Sequence, residues 1–357
     1  MNRCALCLAV LLLAACGSDD RPPINPPDAA IDAAADAAID ALADARMDGS
    51  SPDAGSLDAP AVRAEETYEI MRSTHVYAQG LTHERWGGAE SEAMDLELDL
   101  YLPQGASDNR PALVLIHGGG FTGGSRTQDQ IVTFAEHFAS RGWVCISVDY
   151  RLARNRGTVP SAWSEYVLDS VPMERRNQAM ALYPAARDSR AAIRWLHSRA
   201  EMYQINPDYV SVMGGSAGAA LAIMAGVTEP EDYRDELTAE EDPTLASTNL
   251  AASSRVVAIL DYWGGVTLVR SLSTVYGYDR FDPTDAPINI VHGTEDPTVA
   301  FSNAENLRDA YLRTGASYVF EPLEGAGHGA WGARIDGQRL PENAFGFLTE
   351  QLALVVE

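Results

Sequence analysis

A serine between two closely spaced glycines, Gly214-Gly-Ser216-Ala-Gly218, follows a run of apolar residues. The Gly-x-Ser-x-Gly pattern is typical of a tight turn from a strand into a helix, on which the serine hydroxyl is exposed. A hydroxyl is a poor nucleophile at neutral pH, so it needs a base within hydrogen-bonding reach and a third group that orients the base. The pattern therefore predicts nucleophilic chemistry at Ser216, with a histidine and a carboxylate supplied from elsewhere in the chain.

The preferred base among the seven histidines is His328. It lies in a glycine-flanked loop after the last apolar run, and such a loop can carry an imidazole over the serine. The other histidines lie before the sheet, inside helical patterns, in a glycine-rich loop or, for His292, at the end of a strand. Asp296 follows that strand and is the preferred acid, with its neighbour Glu295 as the alternative.

A second glycine-rich segment, His117-Gly-Gly-Gly120, follows the apolar run 113–116. When a carbonyl carbon is attacked, negative charge grows on its oxygen, and each backbone N–H aimed at that oxygen is worth about 3 to 4 kcal/mol. Glycines lack a Cβ atom and let the backbone approach closely. We expect Gly119, Gly120 and Ala217, the residue after the serine, to form this oxyanion hole, and His117 to shape the loop.

The spacing of apolar and turn residues predicts the elements that position these groups. Strands are predicted near residues 67–76, 94–102, 113–117, 143–149, 208–213, 256–261, 287–292 and 317–321. Helical patterns lie near residues 128–140, 185–203, 216–226, 300–314 and 342–354. Hairpin-like strands followed by alternating strands and helices predict an α/β fold with a mainly parallel sheet covered on both faces. In such sheets the reacting groups collect beyond the carboxyl ends of the strands.

Three long segments fit no regular element: residues 151–181, 228–254 and 264–285. Long insertions in a compact domain are usually functional lids or solvated loops. We expect at least one of them to wall the substrate cleft. For residues 228–254, a solvated loop is an equally good interpretation.

Composition changes sharply near residue 66. Residues 17–65 consist mainly of Asp, Ala, Pro, Ser and Gly, and Asp recurs at every fourth position from 28 to 48. Charges at that spacing would stack on one helical face and repel each other, which opposes a stable helix. We therefore predict a disordered linker over 17–65 and a folded domain over 66–357.

The first sixteen residues indicate export. Arg3 precedes an apolar stretch, and Leu13-Ala-Ala-Cys16 ends it in the manner of a short secretion signal with a small-residue cleavage site. Because the site ends at a cysteine, it resembles the lipobox of bacterial lipoproteins, which implies cleavage before Cys16 and acyl chains on that residue. The resemblance also implies a membrane anchor in the cell envelope, and Gly17 after the cysteine favours the outer membrane of a Gram-negative bacterium. An ordinary secreted protein with a chance cysteine is the alternative.

Composition also excludes several classes of protein. All 26 positively charged side chains are arginines, so Ser-Lys dyads, Schiff-base chemistry and P-loop lysines are excluded. The net charge of −25 opposes binding to nucleic acid, which depends on neutralised phosphates. Three of the four cysteines lie in the first sixteen residues, so no disulfide framework is available. The sequence has no His-x-x-x-His pair, and we predict neither a metal nor another cofactor.

Residues 94–356 resemble the α/β-hydrolase superfamily, and within it the esterases and lipases that carry a His-Gly-Gly-Gly loop. Examples are the hormone-sensitive-lipase-like and carboxylesterase-type bacterial enzymes. The matching segments are 99–103, 117–121, 147–152, 188–196, 214–218, 293–296 and 327–328. The resemblance implies an eight-stranded, mostly parallel sheet. It gives Ser216, Asp296 and His328 the triad roles, in the chain order described for this fold, and Gly119, Gly120 and Ala217 the oxyanion hole.

The resemblance implies a serine esterase that hydrolyses a small-molecule or polymeric carboxylic ester through an acyl-enzyme. Amide, peptide or arylformamide hydrolysis by the same fold and a non-catalytic surface binding domain are the alternatives. The chain departs from many relatives at Gly215, where they carry Asp before the serine. It departs again at Ala219, where many have a second glycine. These two departures concern the subfamily within the superfamily and the acyl group that the enzyme prefers.

Overall fold

An open sheet of eight strands runs through residues 59–357, the part of the chain that the computed structural model describes. The predicted signal peptide and lipobox, residues 1–16, and the predicted linker up to residue 58 lie outside the described residues. The strands of this sheet are β2 (Ile70–His83), β3 (Ser91–Pro103), β4 (Arg110–Ile116), β5 (Val144–Val148), β6 (Ile205–Gly215), β7 (Ile259–Tyr262), β8 (Ile288–Gly293) and β9 (Tyr318–Leu323).

The spatial order of the strands is β2-β3-β5-β4-β6-β7-β8-β9. Strand β3 runs antiparallel to both neighbours, β2 and β5, whereas all other neighbouring pairs are parallel. The predicted eight-stranded, mostly parallel sheet is thereby confirmed. Because β4 to β9 run in the same direction, the segments that follow β4, β6, β8 and β9 lie at the same edge of the sheet.

Helices cover both faces of the sheet, as predicted. They are α1 (Asp129–Ala139), α2 (Ser161–Ser170), α3 (Arg176–His197), α4 (Ala200–Tyr203), α5 (Ala217–Val227), α6 (Thr267–Tyr276), α7 (Ser302–Thr314) and α8 (Leu340–Gln351). Apolar side chains of α1 and α8 belong to one core, and those of α3, α5 and α7 belong to another. The sheet separates these two cores.

Strand β4 shows why the sheet needs unbroken apolar runs. All seven of its residues are buried. Ala112, Val114 and Ile116 belong to one core, and Leu113 and Leu115 to the other. Successive side chains of a strand point to opposite faces, so a strand between two helical layers must be apolar throughout. Together with its neighbour β6, this strand holds the glycine-rich loop and the serine turn side by side.

Two small strand pairs lie outside the main sheet. Strand β1 (Ala61–Val62) pairs in parallel with β12 (Val355–Val356), and β10 (Arg334–Ile335) forms a hairpin with β11 (Gln338–Arg339). The predicted domain start at residue 66 is therefore too late. Residues 61 and 62 continue the small-residue composition of the linker, so only the pairing with β12 and the burial of Val62, which is 1% exposed, reveal the strand.

Two segments that the sequence left irregular contain helices. Helix α2 and the start of α3 lie within residues 151–181, and α6 lies within residues 264–285. Pro184 explains why the start of α3 was missed, because a proline inside a helix removes a hydrogen bond and predicts a boundary, yet α3 continues through it. Helix α6 is rich in Ser, Thr and Val, whose helix propensity is weak, and two buried leucines hold it in place.

Residues 228–254 contain little regular structure beyond a short 3-10 turn, Pro243–Ser247, in agreement with the prediction. None of the helices in residues 59–357 combines the length and the apolar character that crossing a bilayer requires.

A buried ion pair joins three elements of the fold. Arg151 follows β5 and Asp188 lies in α3, and they are 1% and 2% exposed. The guanidinium of Arg151 donates to both carboxylate oxygens at 2.7 and 2.9 Å, and its backbone N–H donates to Asp188 Oδ2 at 2.8 Å. The same guanidinium donates to the carbonyl of Leu81 in β2 at 3.0 Å. The buried carboxylate of Asp242 also lies 4.0 Å from the guanidinium, so removal of Asp188 would leave Arg151 with only this more distant partner. Weakening a buried pair in this way is far costlier than losing a surface pair.

Replacement of Asp188 by alanine is therefore expected to lower the free energy of unfolding by about 3 to 5 kcal/mol. Urea unfolding followed by tryptophan fluorescence measures the change. Asp208→Ala is the matched control, because that carboxylate lies at the surface, 3.7 Å from Arg255, and its loss should change stability by less than about 1 kcal/mol. Equal effects of the two substitutions would contradict a structural role for the buried pair.

Candidate active site

Ser216 lies in the turn between β6 and α5, with φ 56° and ψ −118°. A positive φ is uncommon for a residue with a side chain, and such strain persists only where the surrounding structure imposes it. The backbone N–H of Ser216 donates to the carbonyl of Tyr262 in β7 at 2.9 Å, which ties the turn to the neighbouring strand. The turn therefore projects the hydroxyl at the carboxyl edge of the sheet, as the sequence pattern predicts.

The two outer glycines of the pattern are required by close backbone packing. A Cβ atom on Gly214 would lie 2.1 Å from the carbonyl carbon of Gly218, and one on Gly218 would lie 2.1 Å from the carbonyl oxygen of Ile116. Non-bonded carbon atoms normally stay about 3.5 to 4.0 Å apart. Only glycine at both positions lets α5 begin so close to the ends of β6 and β4.

The structure brings together the three residues that the sequence singled out. Nε2 of His328 lies 3.0 Å from Oγ of Ser216, and Nδ1 of His328 lies 2.7 Å from Oδ2 of Asp296. With the Nδ1 proton donated to the carboxylate, Nε2 can accept the proton of the serine hydroxyl. This is the geometry that general-base activation of a serine requires.

The carboxylate of Asp296 is held by the turn that follows β8. Its side chain is fully buried, and Oδ1 accepts the backbone N–H groups of Thr298 and Val299 at 2.7 and 2.9 Å. A buried carboxylate needs such donors to offset the loss of hydration. Glu295, the alternative acid, is exposed to solvent, so the geometry favours Asp296.

His292, which the sequence analysis set aside as a base, lies next to the acid. Its Nε2 donates to the carbonyl of Val299 at 2.8 Å and lies 3.4 Å from Oδ2 of Asp296. The ring is fully buried, and burial lowers its pKa. His292 thus stabilises, as a neutral imidazole, the turn that carries Asp296. The one sequence signal for this role was its position at the end of β8, four residues before Asp296.

The glycine-rich loop lies directly against the serine turn. A Cβ atom on Gly118 would lie 2.8 Å from the carbonyl oxygen of Gly215 and 3.4 Å from Cβ of Ser216. Gly119 and Gly120 have φ values of 113° and 60°, which favour glycine. On the other side of the serine, Ala217 is the first residue of α5, and N–H groups in the first turn of a helix have no partner within the helix.

Three side chains fix the path of this loop. The Tyr150 hydroxyl donates to the carbonyl of His117 at 2.9 Å, and the two rings stack with centroids 4.3 Å apart. Burial lowers the pKa of His117, which keeps its ring neutral and suits it to packing. The amide of Gln178 donates to the carbonyl of Gly120 at 2.9 Å. The sequence analysis missed Gln178, because it lies in a segment with no helical prediction.

A buried carboxylate lies beneath the serine turn. Asp261 in β7 is paired with Gly214 in the sheet register and is fully buried. Its Oδ1 accepts the N–H of Gly264 at 2.8 Å, whereas Oδ2 has no hydrogen-bond partner among residues 59–357. Burial raises the pKa of Asp261 to about 7. The carboxyl is therefore largely protonated in mildly acidic solution.

Two further features concern metal binding and the reactivity of the one described cysteine. Within the part of the chain that the structure describes, no three His, Cys, Asp or Glu side chains are grouped so that they could hold a metal ion. Cys145 in β5 is a buried thiol, and burial raises its pKa well above the usual value. Such a thiol is an inert part of the core.

The strand order, the strained serine turn after β6 and the glycine-rich loop after β4 define an α/β-hydrolase. The sequence model of the BD-FAE family matches residues 98–165 and 161–280, which together make up just over half of the chain. The chain therefore belongs to the BD-FAE family.

Several curated proteins similar to this chain are esterases. Esterase LipC of Mycobacterium tuberculosis is 22% identical over 237 residues, which are 61% of this chain and 53% of LipC. The versiconal hemiacetal acetate esterase of Dothistroma septosporum is 26% identical over 245 residues, which are 66% of this chain and 63% of that esterase. The chain thus spans between about half and two thirds of the length of these relatives.

Among solved structures, the apo form of Thermogutta terrifontis esterase 2 has a TM-score of 0.55 and 26% sequence identity. The match covers 79% of this chain and 94% of that one. This similarity confirms the α/β-hydrolase fold. Together with the curated relatives, it also confirms the resemblance to esterases and lipases.

The raised pKa of Asp261 predicts a specific pH dependence of stability. The pKa of Asp261 is about 7 in the folded state and 3.8 in the unfolded state. At pH values between these two, the Asp261 carboxyl is therefore protonated in the folded state and ionised in the unfolded state. The free energy of unfolding should then fall as the pH rises from about 4 to 7. Asp261→Asn stays neutral, so this variant should lose less stability than the wild type between pH 5 and pH 8 in urea unfolding.

The exposed Asp208 provides a control for charge removal, since Asp208→Asn should leave the wild-type pH dependence unchanged. If Asp261→Asn and the wild type lose stability in parallel across this range, the buried carboxyl is not the group that titrates.

Proposed function

We propose that the protein is a serine carboxylic ester hydrolase that works through an acyl-enzyme. The observation that carries this proposal is the chain of two hydrogen bonds from Ser216 Oγ to His328 Nε2, 3.0 Å, and from His328 Nδ1 to Asp296 Oδ2, 2.7 Å. In the proposed roles, Ser216 is the nucleophile, His328 is the general base and acid, and Asp296 orients the imidazole and stabilises its protonated form.

The first half-reaction follows from these distances. Ser216 Oγ attacks the ester carbonyl carbon while its proton passes to Nε2 of His328, which forms a tetrahedral intermediate beside an imidazolium. The buried Asp296 carboxylate offsets the charge of the imidazolium. Nε2 then returns the proton to the departing alcohol oxygen, the ester C–O bond breaks, and the acyl group remains on Ser216.

The second half-reaction repeats the same steps with water as the nucleophile. His328 takes a proton from water, the hydroxide adds to the acyl carbon, and collapse of the second tetrahedral intermediate releases the acid and returns the proton to Ser216. In both halves, we assign the N–H groups of Gly119, Gly120 and Ala217 to the developing oxyanion. Their support is the left-handed backbone of the two glycines and the place of Ala217 at the start of α5.

The comparisons support this chemistry through named relatives. LipC and the versiconal hemiacetal acetate esterase carry esterase names. Thermogutta terrifontis esterase 2 has also been solved as a form phosphorylated by paraoxon, with 25% identity to this chain and a TM-score of 0.53. Phosphorylation of an esterase by an organophosphate is the behaviour expected of an activated nucleophile.

We further propose that the substrate is an ester, either a small molecule or a polymer.

We also propose that the protein is anchored to a membrane. In this proposal, lipid on Cys16 holds the domain in the cell envelope, in the outer membrane of a Gram-negative bacterium, and the linker that the sequence predicts over residues 17–65 acts as the spacer up to β1. The support is the sequence alone: the apolar stretch before Cys16 and the Asp- and Ala-rich composition after it. Two or more acyl chains anchor a protein stably, whereas one chain binds only marginally.

Labelling with a fluorophosphonate probe tests the proposed nucleophile. The wild type should be labelled, Ser216→Ala should not, and the surface variant Ser170→Ala should match the wild type. An unlabelled wild type would favour a non-catalytic binding domain. If p-nitrophenyl esters are not hydrolysed by a protein that is labelled, amide, peptide or arylformamide substrates become the next assay.

Steady-state kinetics on p-nitrophenyl esters of increasing acyl length test the roles of the two histidines. Ser216→Ala or His328→Ala should lower kcat by about a million-fold, because the members of a serine triad act as a unit. His292→Ala should cost far less, since this ring braces the acid turn without contacting the serine. Comparable losses at His292 and His328 would reopen the choice of base.

Metabolic labelling with an alkyne fatty acid in a bacterial host tests the anchor. The wild-type protein should incorporate the label and fractionate with membranes, and Cys16→Ser should lose both properties. Cys7→Ser is the matched control, because it removes a cysteine of the same apolar segment and should leave labelling intact. Label retained in Cys16→Ser would exclude lipidation at this residue.

A further inference from the structure

The loop that carries His328 is built almost entirely from small residues. Between residues 325 and 333, only His328 and Trp331 have a side chain larger than a methyl group. Gly325 and Gly329 adopt φ values of 68° and 76°. Glycine is conformationally permissive, so the backbone of this loop does little by itself to fix the position of the imidazole. The loop needs an anchor, and Trp331 is the one large apolar side chain available within it.

Trp331 is packed into a cluster of aromatic rings. Its ring centroid lies 4.6 Å from that of Trp263 in an edge-to-face arrangement, 5.4 Å from Tyr262 and 5.9 Å from Phe134. Aromatic pairs at such distances contribute about 0.5 to 1.5 kcal/mol each beyond the area they bury. Trp263 also lies edge-on to the His328 ring, with centroids 6.3 Å apart. Trp331 is therefore connected to the His328 imidazole in two ways: through the loop backbone and through the contacts that both side chains make with Trp263.

The far edge of the Trp331 ring rests on the residue that precedes the nucleophile. A Cβ atom on Gly215 would lie 2.5 Å from Cζ2 and 2.7 Å from Cη2 of Trp331. Trp263, Tyr262 and Phe134 pack against the Trp331 ring and restrict the directions in which it can move away from position 215. The contact gives a physical reason for glycine at position 215, one of the departures noted in the sequence.

We propose that Gly215 and Trp331 form a size-matched pair that sets the distance between the base and the nucleophile. Trp331 lies three residues after His328, and Gly215 lies one residue before Ser216. The ring thus links the loop of the base directly to the turn of the serine. Trp331 is a positioning residue, which acts through His328 without taking part in proton transfer. This inference rests on the proposed function for its effect on rate, but its geometric content is independent of activity.

The pair is tested by a double-mutant cycle with Gly215→Ala, Trp331→Phe and the double variant. Phenylalanine lacks the Cζ2 and Cη2 atoms, so it leaves room for the new methyl group. Gly215→Ala should lower kcat about 100-fold with KM little changed, the size expected for a misplacement of about 1 Å. Trp331→Phe should lower kcat to a smaller extent. The double variant should recover at least tenfold over Gly215→Ala.

Gly332→Ala is the matched control in the same loop, because a Cβ atom there would meet nothing within 4 Å; its kcat should stay within twofold of the wild type. Thermal unfolding of every variant shows whether the fold is retained. A double variant that is slower than either single variant would mean independent losses and would overturn the size-matched pair. So would a Gly215→Ala variant with wild-type kcat.

Crystal structures of the wild type, Gly215→Ala and the double variant provide a readout that needs no activity. The distance from Ser216 Oγ to His328 Nε2 should lengthen in Gly215→Ala and return to about 3 Å in the double variant. An unchanged distance in Gly215→Ala refutes the inference even in an active enzyme. If the wild type is not labelled by the fluorophosphonate but the distance responds as expected, the proposed function fails and the pair stands.

Discussion

The geometry of the whole site depends on one close backbone contact. Gly218, at the start of α5, lies against the carbonyl oxygen of Ile116, at the end of β4. A Cβ atom at Gly218 would come within 2.1 Å of that oxygen. The approach is possible only without a side chain, and it places the beginning of α5 against the sheet, where Ser216 takes a backbone conformation with positive φ. Because the glycine-rich loop starts directly after Ile116, the same contact also sets the position of that loop relative to the serine.

The remaining groups are brought to this point by the parallel order of β4, β6, β8 and β9. Each of the three proposed triad residues is held differently. Ser216 is held in a strained turn by close backbone packing and by its hydrogen bond to Tyr262, and Asp296 is held by burial and two backbone N–H donors. His328 lies on a loop of small residues, whose position depends on the packing of Trp331. In the proposed mechanism, the least constrained backbone therefore carries the group that transfers protons, which would make aromatic packing important for the chemistry.

Much of the sheet was predictable because its central strands, such as β4, β5, β7 and β8, are buried on both faces and read as continuous apolar runs. The helical errors have a common cause. Pro184 predicted a boundary that packing overrides, and α6 has weak intrinsic propensity but buries two leucines. The strand at Ala61–Val62 was missed for a similar reason, since its partner lies almost 300 residues away in the chain and leaves no local pattern.

What the sequence alone determined is the set of candidate reactive groups. The glycine spacing around Ser216, the glycine run after His117 and the order of the acid and the base each follow from local backbone requirements, which short patterns record. The tertiary structure alone decided the support of those groups: Gln178 on the oxyanion loop, His292 beside the acid, and Trp331 on Gly215. The first and the last of these contacts join residues 58 and 116 positions apart, and a contact between distant positions leaves no periodicity or spacing in the chain. His292 lies only four residues before Asp296, but its burial and its hydrogen bond to Val299 exist only in the folded chain. Such a contact stabilises the protein only once the sheet has brought the strand ends together.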